Sequence, residues 1–265
     1  MYQNNTLENK VAFIAGGTSG INLGIAKGLM AVGAKVAVLG RNEEKAIAAA
    51  NGLMAELGGE AIALSADVRD ADQVEAALQK TVSVLGKIDI LISGAAGNFP
   101  APALGIKPKG FKTVVDIDLI GTYNVFHLGF NYVNANASMI AITAPQAVIP
   151  MAYQAHVCAA KAGINMLIKC LALEWGPAGH RVNGISPGPI DGTEGADRLA
   201  PVGPMREKMI SKIASRRFGE CQEIADAAIY LSCDLGKYVN GTILTVDGGT
   251  ELGDASADCL SIPSR

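Results

Sequence analysis

The 265-residue sequence has little charge and few aromatic side chains. Charged residues make up 18% of the chain, aromatic residues 5%, and the formal net charge is −3. It contains no block of lysine and arginine, which argues against nucleic acid or an acidic membrane surface as a partner. The apolar fraction of 49% instead predicts a large core and a surface partly covered between subunits.

Signals for metal, export and membrane insertion are also missing. The chain has three histidines and five cysteines, and the cysteines show no Cys-x-x-Cys spacing. We therefore predict no metal site and expect the cysteines to be reduced thiols. The first ten residues have no apolar signal core, and no run of about 18 apolar residues predicts a membrane span. The last four residues, I-P-S-R, differ from the peroxisomal Ser-Lys-Leu address. We therefore expect a cytoplasmic protein with no membrane partner.

Short apolar segments alternate with helix-length segments along the chain. The apolar segments show little alternation with polar residues, as expected for parallel strands that are buried on both faces. The predicted strands are Val11–Ala15, Lys35–Leu39, Ala61–Ser65, Ile88–Ser93, Ser138–Thr143, Arg181–Ile185 and Thr242–Val246. The predicted helices are Ile21–Val32, Glu43–Leu57, Asp72–Leu85, Phe111–Val133, Ala152–Trp175 and Gln222–Leu231. This repetition predicts an α/β fold, a doubly wound parallel sheet (Rossmann fold) of seven strands flanked by helices.

The chain is expected to form a single domain. No Pro/Ser-rich linker divides it, so we assign residues 1–250 to one domain and residues 251–265 to a C-terminal tail. The longest irregular stretch runs from Pro187 to about Pro204 and is rich in glycine and proline. Long irregular segments in compact domains are usually lids or binding loops. We therefore predict a substrate loop over about 187–217.

A glycine-rich turn stands between the first predicted strand and the first predicted helix. It reads G-G-T-S-G-I over residues 16–21. Glycine lets the backbone approach a pyrophosphate, and the helix N-terminus offers free N–H groups and a positive dipole end. Because of its position, we interpret the turn as a nucleotide-binding loop rather than a plain tight turn. The predicted contacts are Gly16, Thr18, Ser19, Gly20 and Ile21.

The end of the second strand favours NADP(H) as the cofactor. NAD sites usually place an acidic residue here, whereas this chain has Gly40 followed by Arg41, whose guanidinium could pair with a 2′-phosphate. A solvated surface arginine is the competing interpretation. After the third strand, Asp67 and Val68 are candidates for the adenine pocket. Asp67 could equally cap the helix that begins near Asp70.

These motifs resemble the short-chain dehydrogenase/reductase family over nearly the whole chain. The markers are the glycine-rich turn, Ala95-Ala96-Gly97, Lys161 on a long helix, Ser186-Pro187-Gly188-Pro189 and Asp247-Gly248-Gly249. The resemblance implies that Ala95 and Lys161 contact the cofactor. It also implies that Ile190 and Thr193 lie against its nicotinamide carboxamide and phosphate.

The chain departs from the family pattern at two places in the cofactor region. The third glycine of the phosphate loop reads Asn22, with Gly24 two residues later. The usual Asn-Asn-Ala-Gly turn reads Ser93-Gly94-Ala95-Ala96. Both departures lie where the cofactor is expected to bind, so they bear on how the cofactor is oriented.

The tyrosine that ketone-reducing family members use is missing. Its position, four residues before Lys161, holds Val157; the usual serine falls at Ala144, beside Thr143. The asparagine of the family relay reads Asp118. Tyr153 stands eight residues before Lys161, about 12 Å along a helix, which is too far for a direct substitute. We interpret Tyr153 as packing or lining the substrate mouth.

Loss of the tyrosine does not prevent reduction of a conjugated carbon–carbon double bond, because charge then moves to a distant carbonyl as an enolate. The chain is similar to the peroxisomal type of 2,4-dienoyl-CoA reductase, a branch of the family that also lacks the tyrosine and carries the aspartate. The segments that carry this similarity include Ala95–Phe99, Phe111–Asp118, Ile142–Ala144, His156, Glu174–Pro177 and Gly188–Gly195.

The similarity to this branch implies a set of working residues. Lys161 would hold the ribose hydroxyls of the nicotinamide half, Asp118 would position a water or deliver the proton, and Asp247 would organise the network. Each aspartate also has a structural interpretation: Asp118 could bond backbone, and Asp247 could be a turn residue. The candidate substrate residues are Phe99, Thr143, Tyr153, His156 and Arg198.

Three functions remain open at this point. The first is an NADPH-dependent reductase of an enoyl- or dienoyl-CoA thioester, the second a carbonyl or imine reductase with a different acid, and the third a non-catalytic NADP(H) sensor or scaffold. An acyl-CoA would need basic residues at the cleft mouth, for which Lys107, Lys109, Lys112 and Arg198 are candidates. The apolar helices 111–133 and 152–175 predict pairing across a two-fold axis in a homotetramer.

Overall fold

The computed structural model of the chain describes residues 3–257, apart from the side chains of Arg198 and Leu199. Within these residues one sheet contains β1 (Val11–Ala15), β2 (Lys35–Gly40), β3 (Ala61–Ser65), β4 (Ile88–Ser93), β5 (Val133–Ile142), β6 (Arg181–Pro187) and β7 (Ile243–Val246). All neighbouring strands pair in parallel, in the order β3-β2-β1-β4-β5-β6-β7. The predicted doubly wound sheet of seven strands is confirmed.

Helices cover both faces of the sheet. They are α1 (Gly20–Ala31), α2 (Glu43–Leu57), α3 (Ala71–Leu85), α4 (Pro108–Val115), α5 (Gly121–Gly129), α6 (Ala155–Trp175), α7 (Glu194–Leu199), α8 (Pro204–Lys212) and α9 (Cys221–Ser232). Ile25 of α1 and Ile224 of α9 are buried in one core layer. Phe126 of α5 and Ile164 of α6 are buried in the layer on the opposite face. Apolar strands with little alternation form because both faces are covered.

The strand order reverses between β1 and β4, which opens a crevice at the carboxyl ends of these strands. Gly16, at the end of β1, has φ +80°, and an added Cβ there would lie 2.8 Å from the backbone nitrogen of Ala95. Glycine is needed at this position for both backbone conformation and space. The phosphate loop and the turn after β4 are therefore pressed together at the crevice.

The helix predicted over Phe111–Val133 is divided in the structure. Helix α4 begins earlier, at Pro108, whose fixed φ suits a first helical turn. A π-helical turn spans Asp116–Ile120, and α5 ends at Gly129. Val133 already belongs to β5, so the predicted end of the helix and the predicted start of the strand at Ser138 are both wrong. The start of β5 was missed because its residues are polar and do not show the apolar pattern of a buried strand. One of them, Asn134, donates a hydrogen bond to Asp89 on the neighbouring strand β4.

Most other boundaries differ from the prediction by at most two residues, and larger differences occur at the start of α6 and in the loop after β6. The helix predicted from Ala152 begins at Ala155, because Tyr153 has φ +67° and cannot continue a helix. The stretch predicted to be irregular from Pro187 to Pro204 contains α7, whose first turn Thr193 caps by accepting from the amide of Ala196. By length and composition, α6 with the turn after it, Ala155–Ala178, could also span a membrane. Core helices commonly meet that criterion, and Ile164 and Ile168 of α6 are packed in the core.

Candidate active site

A cleft of about 390 Å³ opens at the crevice between β1 and β4. Its size falls within the range of small-molecule sites. The predicted cofactor residues that line it are Gly16, Thr18, Ser19, Arg41, Asp67, Val68 and Ala95. Gly20 and Ile21 form the first turn of α1 beside it. The glycine cradle and the free N-terminus of α1 fit a dinucleotide pyrophosphate.

The adenosine end of the cleft has a basic rim. An added Cβ at Gly40 would lie 2.6 Å from Cγ2 of Thr18, so an acidic side chain does not fit here without a shift. Arg41 and Lys45 line this end of the cleft and are exposed. A missing carboxylate beside two exposed cations suits a 2′-phosphate better than a ribose hydroxyl.

Asp67 is held by a neighbouring arginine. The Arg69 guanidinium hydrogen-bonds both oxygens of Asp67, at 3.0 to 2.5 Å, and lowers the pKa of that carboxyl. Helix α3 is capped by Asp70, which accepts from the amide of Gln73 at 3.1 Å. The alternative that Asp67 caps this helix is therefore wrong, while its position on the cleft is compatible with the adenine pocket.

The start of the substrate loop reaches the phosphate loop. Ile190 is buried and pairs with Gly219 in a β-bridge. The Thr193 hydroxyl donates to the backbone oxygen of Ile190 at 2.7 Å. An added Cβ at Gly20 would lie 3.8 Å from Cγ2 of Thr193, which is ordinary contact. Thr193 therefore lies beside the first residue of α1, whereas Ile190 lines a separate pocket with Ser215 and Glu223.

Asp118 and Lys161 form a buried ion pair. Lys161 Nζ lies 3.3 Å from Oδ2 of Asp118 and donates to the backbone oxygen of Ile142 at 3.1 Å. The amide of Gly97 donates to Oδ1 of Asp118 at 2.7 Å. Oδ2 has no hydrogen bond among the described residues. Since the side chains are 1% and 7% exposed, a charge here needs a counter-charge, and each residue supplies the other's.

The π-helical turn carries Asp118 to the interior. Such turns insert a residue into a helix and are frequent at functional sites. The Thr122 hydroxyl donates to the backbone oxygen of Asp118 at 2.6 Å, while Ser93 donates to Thr122 at 3.1 Å. Asp116, two residues earlier, pairs instead with Lys112 at 2.6 Å on the outside. The two aspartates therefore face different surroundings.

Phe99 and His156 are brought together. Their ring centroids lie 4.4 Å apart, and Phe111 of α4 lies on the imidazole at 6.5 Å. His156 is fully buried, and neither ring nitrogen has a hydrogen-bond partner among the described residues. Val157, at the position of the missing tyrosine, packs against Val114. This part of the site is therefore apolar, apart from one imidazole with unused nitrogens.

The other predicted substrate residues differ in their surroundings. The buried Thr143 hydroxyl donates to Asn165 of α6 at 2.7 Å, so its proton is used inside the protein. Tyr153 lies before α6, is 60% exposed, and its backbone oxygen accepts from the amide of Ala101. The estimate of its distance from Lys161 along a helix therefore does not apply. The side chain of Arg198 lies outside the described part of the chain.

Asp247 holds a turn near the end of the sheet. Its two carboxylate oxygens accept from the amides of Gly249 and Glu251 at 2.7 and 2.6 Å. Among the described residues, no hydrogen bond or ion pair joins it to Asp118 or Lys161. An added Cβ at Gly188 would lie 2.6 Å from Cα of Asp247. The turn therefore packs directly behind the Pro-Gly turn that leads to Ile190.

Several participants were not identified from the sequence. The Gly97 amide binds Asp118, Lys45 joins the basic rim, and Glu251 accepts from the Ser186 hydroxyl at 2.8 Å. The position of Lys45 early in the second helix, after Arg41, could have indicated its role. Glu251 was assigned to the tail, yet it bonds to the end of β6. A backbone amide leaves no residue-type signal, so Gly97 could not have been found that way.

Comparisons with known proteins agree with this geometry. A family model described as Enoyl-(Acyl carrier protein) reductase matches residues 15–251. The chain is 41% identical over 247 residues to a peroxisomal 2,4-dienoyl-CoA reductase of Saccharomyces cerevisiae, covering 91% of this chain and 84% of that protein. It is 40% identical over 259 residues to a protein of the same description from Arabidopsis thaliana, covering 94% and 86%. Both descriptions specify (3E)-enoyl-CoA as the product.

Solved structures give the same family. A short-chain dehydrogenase/reductase from Serratia marcescens superposes with a TM-score of 0.86 at 28% identity, covering 93% of this chain and 99% of that one. A short chain dehydrogenase from Burkholderia cenocepacia, solved in complex with NADP, has a TM-score of 0.84 at 26% identity, with the same coverage. The family resemblance seen in the sequence is confirmed. The chain belongs to the short-chain dehydrogenase/reductase family of oxidoreductases.

Proposed function

We propose that this protein is an NADPH-dependent reductase of a conjugated double bond in an enoyl- or dienoyl-CoA thioester. The observation that carries the proposal is the buried Asp118–Lys161 pair next to a valine where ketone reductases have their tyrosine. Such a site has no phenol to protonate a carbonyl oxygen. Oδ2 of its carboxylate faces Lys161 and accepts no hydrogen bond within residues 3–257, so it can hold a water near a carbon atom. The relatives named 2,4-dienoyl-CoA reductases support the same substrate class.

The reaction balances as the addition of one hydride and one proton. When bound, NADPH supplies the hydride, which adds to the δ carbon of the dienoyl chain. The remaining double bond then lies between the β and γ carbons, and negative charge moves to the thioester oxygen as an enolate. A proton adds to the α carbon and gives a 3-enoyl thioester. Protonation at the γ carbon would give the 2-enoyl isomer.

We assign the proton to a water that Asp118 holds. Oδ1 is occupied by the Gly97 amide, whereas Oδ2 has no hydrogen bond within residues 3–257. Lys161 places a positive charge 3.3 Å from Oδ2, which favours negative charge developing nearby. Lys161 would also bind the ribose hydroxyls of the nicotinamide half. Asp247 would act through the turn that supports the Pro-Gly segment before Ile190, as a positioning residue.

NADPH rather than NADH is the proposed cofactor. Support comes from the missing acid at Gly40 and from the exposed Arg41 and Lys45 on the cleft. A guanidinium binds a phosphate through two parallel N–H groups, whereas it gains little from a ribose hydroxyl. We therefore assign Arg41 to the 2′-phosphate.

The segments after β4, β5 and β6 support an acyl-CoA substrate. Parallel strands end at one edge of the sheet, so these segments share the mouth of the crevice. Leu104, Val148 and Val202, one from each segment, are exposed apolar side chains that could contact an acyl chain. Lys107 and Lys109 are exposed and have no ion-pair partner in the described part of the chain, so they could bind CoA phosphates. Lys112 is paired with Asp116.

A homotetramer remains the proposed assembly. Ile120, Tyr123, Met166 and Leu173 lie on the π-helical turn, α5 and α6, and each is at least 42% exposed. Exposed apolar residues on neighbouring helices are typical of a subunit interface. Light scattering after size exclusion should give about four times the chain mass of 27.3 kDa, and a monomer would contradict the proposal.

A cytoplasmic location stays a prediction. The peroxisome is part of the relatives' descriptions and is said of those proteins.

The deciding experiment is an assay of NADPH oxidation with 2,4-hexadienoyl-CoA, with product analysis by NMR. We expect turnover to a 3-enoyl thioester that is lost in Asp118→Ala. A 2-enoyl product would keep the substrate class but overturn the protonation site. No turnover, despite NADPH binding measured by fluorescence, would favour a carbonyl or imine reductase; a panel of ketones and imines would then separate that enzyme from a sensor.

A further inference from the structure

The two departures from the family pattern in the cofactor region meet in the structure. Asn22, which replaces the third glycine of the phosphate loop, lies in the first turn of α1 and is 9% exposed. Its Nδ2 donates to the backbone oxygen of Gly94 at 2.8 Å. Gly94 belongs to the turn that reads Ser93-Gly94-Ala95-Ala96 in place of Asn-Asn-Ala-Gly. The residues stand 72 positions apart, so only the fold brings them together.

The two residues are sterically complementary. An added Cβ at Gly94 would lie 2.3 Å from Oδ1 and 2.4 Å from Nδ2 of Asn22. Gly94 is not among the residues with positive φ, so its backbone conformation does not demand glycine. It is the space occupied by the Asn22 amide that demands it. The two departures therefore compensate each other. The side-chain amide of Asn22 on α1 occupies the space that the asparagine of the family pattern would fill at position 94 on the turn.

This pair of residues connects the phosphate loop to the catalytic carboxylate. The amide of Gly94 donates to the backbone oxygen of Ala15 at 3.0 Å, at the base of the phosphate loop. Three residues later, the amide of Gly97 donates to Oδ1 of Asp118 at 2.7 Å. The segment between them is short, so a shift of the Gly94 carbonyl moves the Gly97 amide as well. The bond from Asn22 is the side-chain tie that holds this segment against α1.

We infer that Asn22 is a positioning residue: its amide holds the turn after β4 so that Gly97 presents Asp118 correctly, and it couples the cofactor loop to the proton-delivery site. The inference rests on the proposed role of Asp118. Because Oδ1 of Asn22 is buried without a hydrogen bond in the described part of the chain, Asn22 already carries a desolvation cost. Its removal should therefore affect geometry more than folding.

The first test uses Asn22→Ala, with Asn51→Ala, an exposed asparagine on α2, as the matched control. We expect Asn22→Ala to lower kcat by about 10- to 100-fold, as small misplacements of catalytic groups do. The KM for 2,4-hexadienoyl-CoA should remain unchanged. Hydrogen–deuterium exchange of the peptide covering 93–97 should become faster in the same variant, and the control should change neither quantity. Unchanged exchange together with unchanged kcat would overturn the inference.

The second test exchanges the two residues. Gly94→Asn alone should be the most damaging change, because its side chain meets Asn22. Asn22→Gly combined with Gly94→Asn should recover most of the wild-type kcat, so that the two effects are strongly non-additive. Additive losses would contradict compensation between the two residues. If the wild-type protein does not reduce dienoyl-CoA but Asn22→Ala speeds hydrogen–deuterium exchange at 93–97, the positioning role stands and the proposed function is rejected. If the wild-type protein reduces dienoyl-CoA and Asn22→Ala changes neither kcat nor exchange, the proposed function stands and the positioning role is rejected.

Discussion

Two groups of polar side chains in this protein differ in how completely their hydrogen bonds are satisfied. On the π-helical turn and α6, Oδ2 of Asp118 and both ring nitrogens of His156 are buried and have no hydrogen bond within residues 3–257. In the turn after β7, Asp247 binds two amides, and Glu251 binds the Ser186 hydroxyl. Both groups lie at the carboxyl edge of the same sheet, and both contain aspartates marked by the family resemblance.

The difference separates groups available for chemistry from groups that hold structure. An unsatisfied buried polar atom costs stability. Where such an atom borders a binding site, a substrate or a water can complete its hydrogen bonds. A carboxylate whose oxygens both accept backbone amides is already committed to the turn it supports. We therefore expect substitution of His156 to change activity with little loss of stability. Substitution of Asp118 should change activity and also cost stability, because buried Lys161 loses its counter-charge. Substitutions in the second group should chiefly lower stability.

The largest effect is expected for Asp118→Asn. The amide keeps the shape but loses the charge facing Lys161 and accepts less strongly from a water. We expect kcat to fall by about 100-fold or more, in the range lost with general acid–base groups. The control is Asp116→Asn, two residues away and paired with the exposed Lys112, which should leave kcat unchanged. Equal activity of the two variants, assayed well below their melting temperatures, would remove Asp118 from the chemistry.

A smaller effect is expected for His156→Leu. If the unused imidazole nitrogens bind substrate or a water next to it, KM for the dienoyl thioester should rise by about tenfold, the equivalent of one hydrogen bond. The melting temperature should not fall, because two unsatisfied buried nitrogens are removed. His180→Leu is the matched control. His180 is also buried, one of its ring nitrogens has no hydrogen-bond partner in the described part of the chain, and burial lowers its pKa. It packs on Phe130, beyond the far end of α6. A rise of KM in both variants would contradict a local role.

The second group is tested by Asp247→Asn. An asparagine has one accepting oxygen, so one of the amides of Gly249 and Glu251 loses its partner. The melting temperature should fall by on the order of 5 °C, as expected from the loss of a charge-assisted hydrogen bond. We expect kcat to change much less than in Asp118→Asn. A large loss of kcat with an unchanged melting temperature would place Asp247 in the chemistry and break the comparison.

The smallest effect is expected for Glu223, an exposed carboxylate that is hydrogen-bonded to Arg217. Arg217, followed by the amide of Glu220, lowers the pKa of Glu223 from 4.5 to about 2. Because the folded pKa lies below the unfolded one, the stabilisation is present above about pH 4.5 and is lost as the pH falls toward 2. Its side chain is 38% exposed, so Glu223→Gln should cost less than about 1 kcal/mol at neutral pH. Urea unfolding at pH 7 and pH 3 should show the difference between variant and wild type shrinking at the lower pH.

Much of the fold could be predicted because apolar segments report burial directly. Strands such as Val11–Ala15 and Ile88–Ser93 lie within their predicted bounds because both faces of the sheet are covered. The boundaries that differ from the prediction depend on the backbone conformation of single residues or short segments. Tyr153 adopts φ +67°, and the segment Asp116–Ile120 forms a π-helical turn. Neither choice follows from residue types, because each is stabilised by contacts with distant parts of the chain.

The candidate site divides in the same way. The absence of a tyrosine four residues before Lys161, the aspartate at 118 and the missing acid at Gly40 are visible in the sequence. From these the sequence predicted the family and the substrate class that the relatives share. The hydrogen-bond state of each group was not visible. Thr143 and Asp247 looked comparable to Asp118, yet their hydrogen-bonding groups are used by Asn165 and by two backbone amides.

The sequence by itself determined the seven strands and their order along the chain, the glycine-rich loop and the set of residue types available for chemistry, because these depend on local composition and spacing. Only the tertiary structure decided which polar atoms remain without a partner. It also decided that Asn22 and Gly94 fit each other and that Gly97 binds Asp118. The physical reason is that hydrogen bonding and close packing depend on distances of a few ångströms between residues far apart in the chain, and folding alone sets those distances.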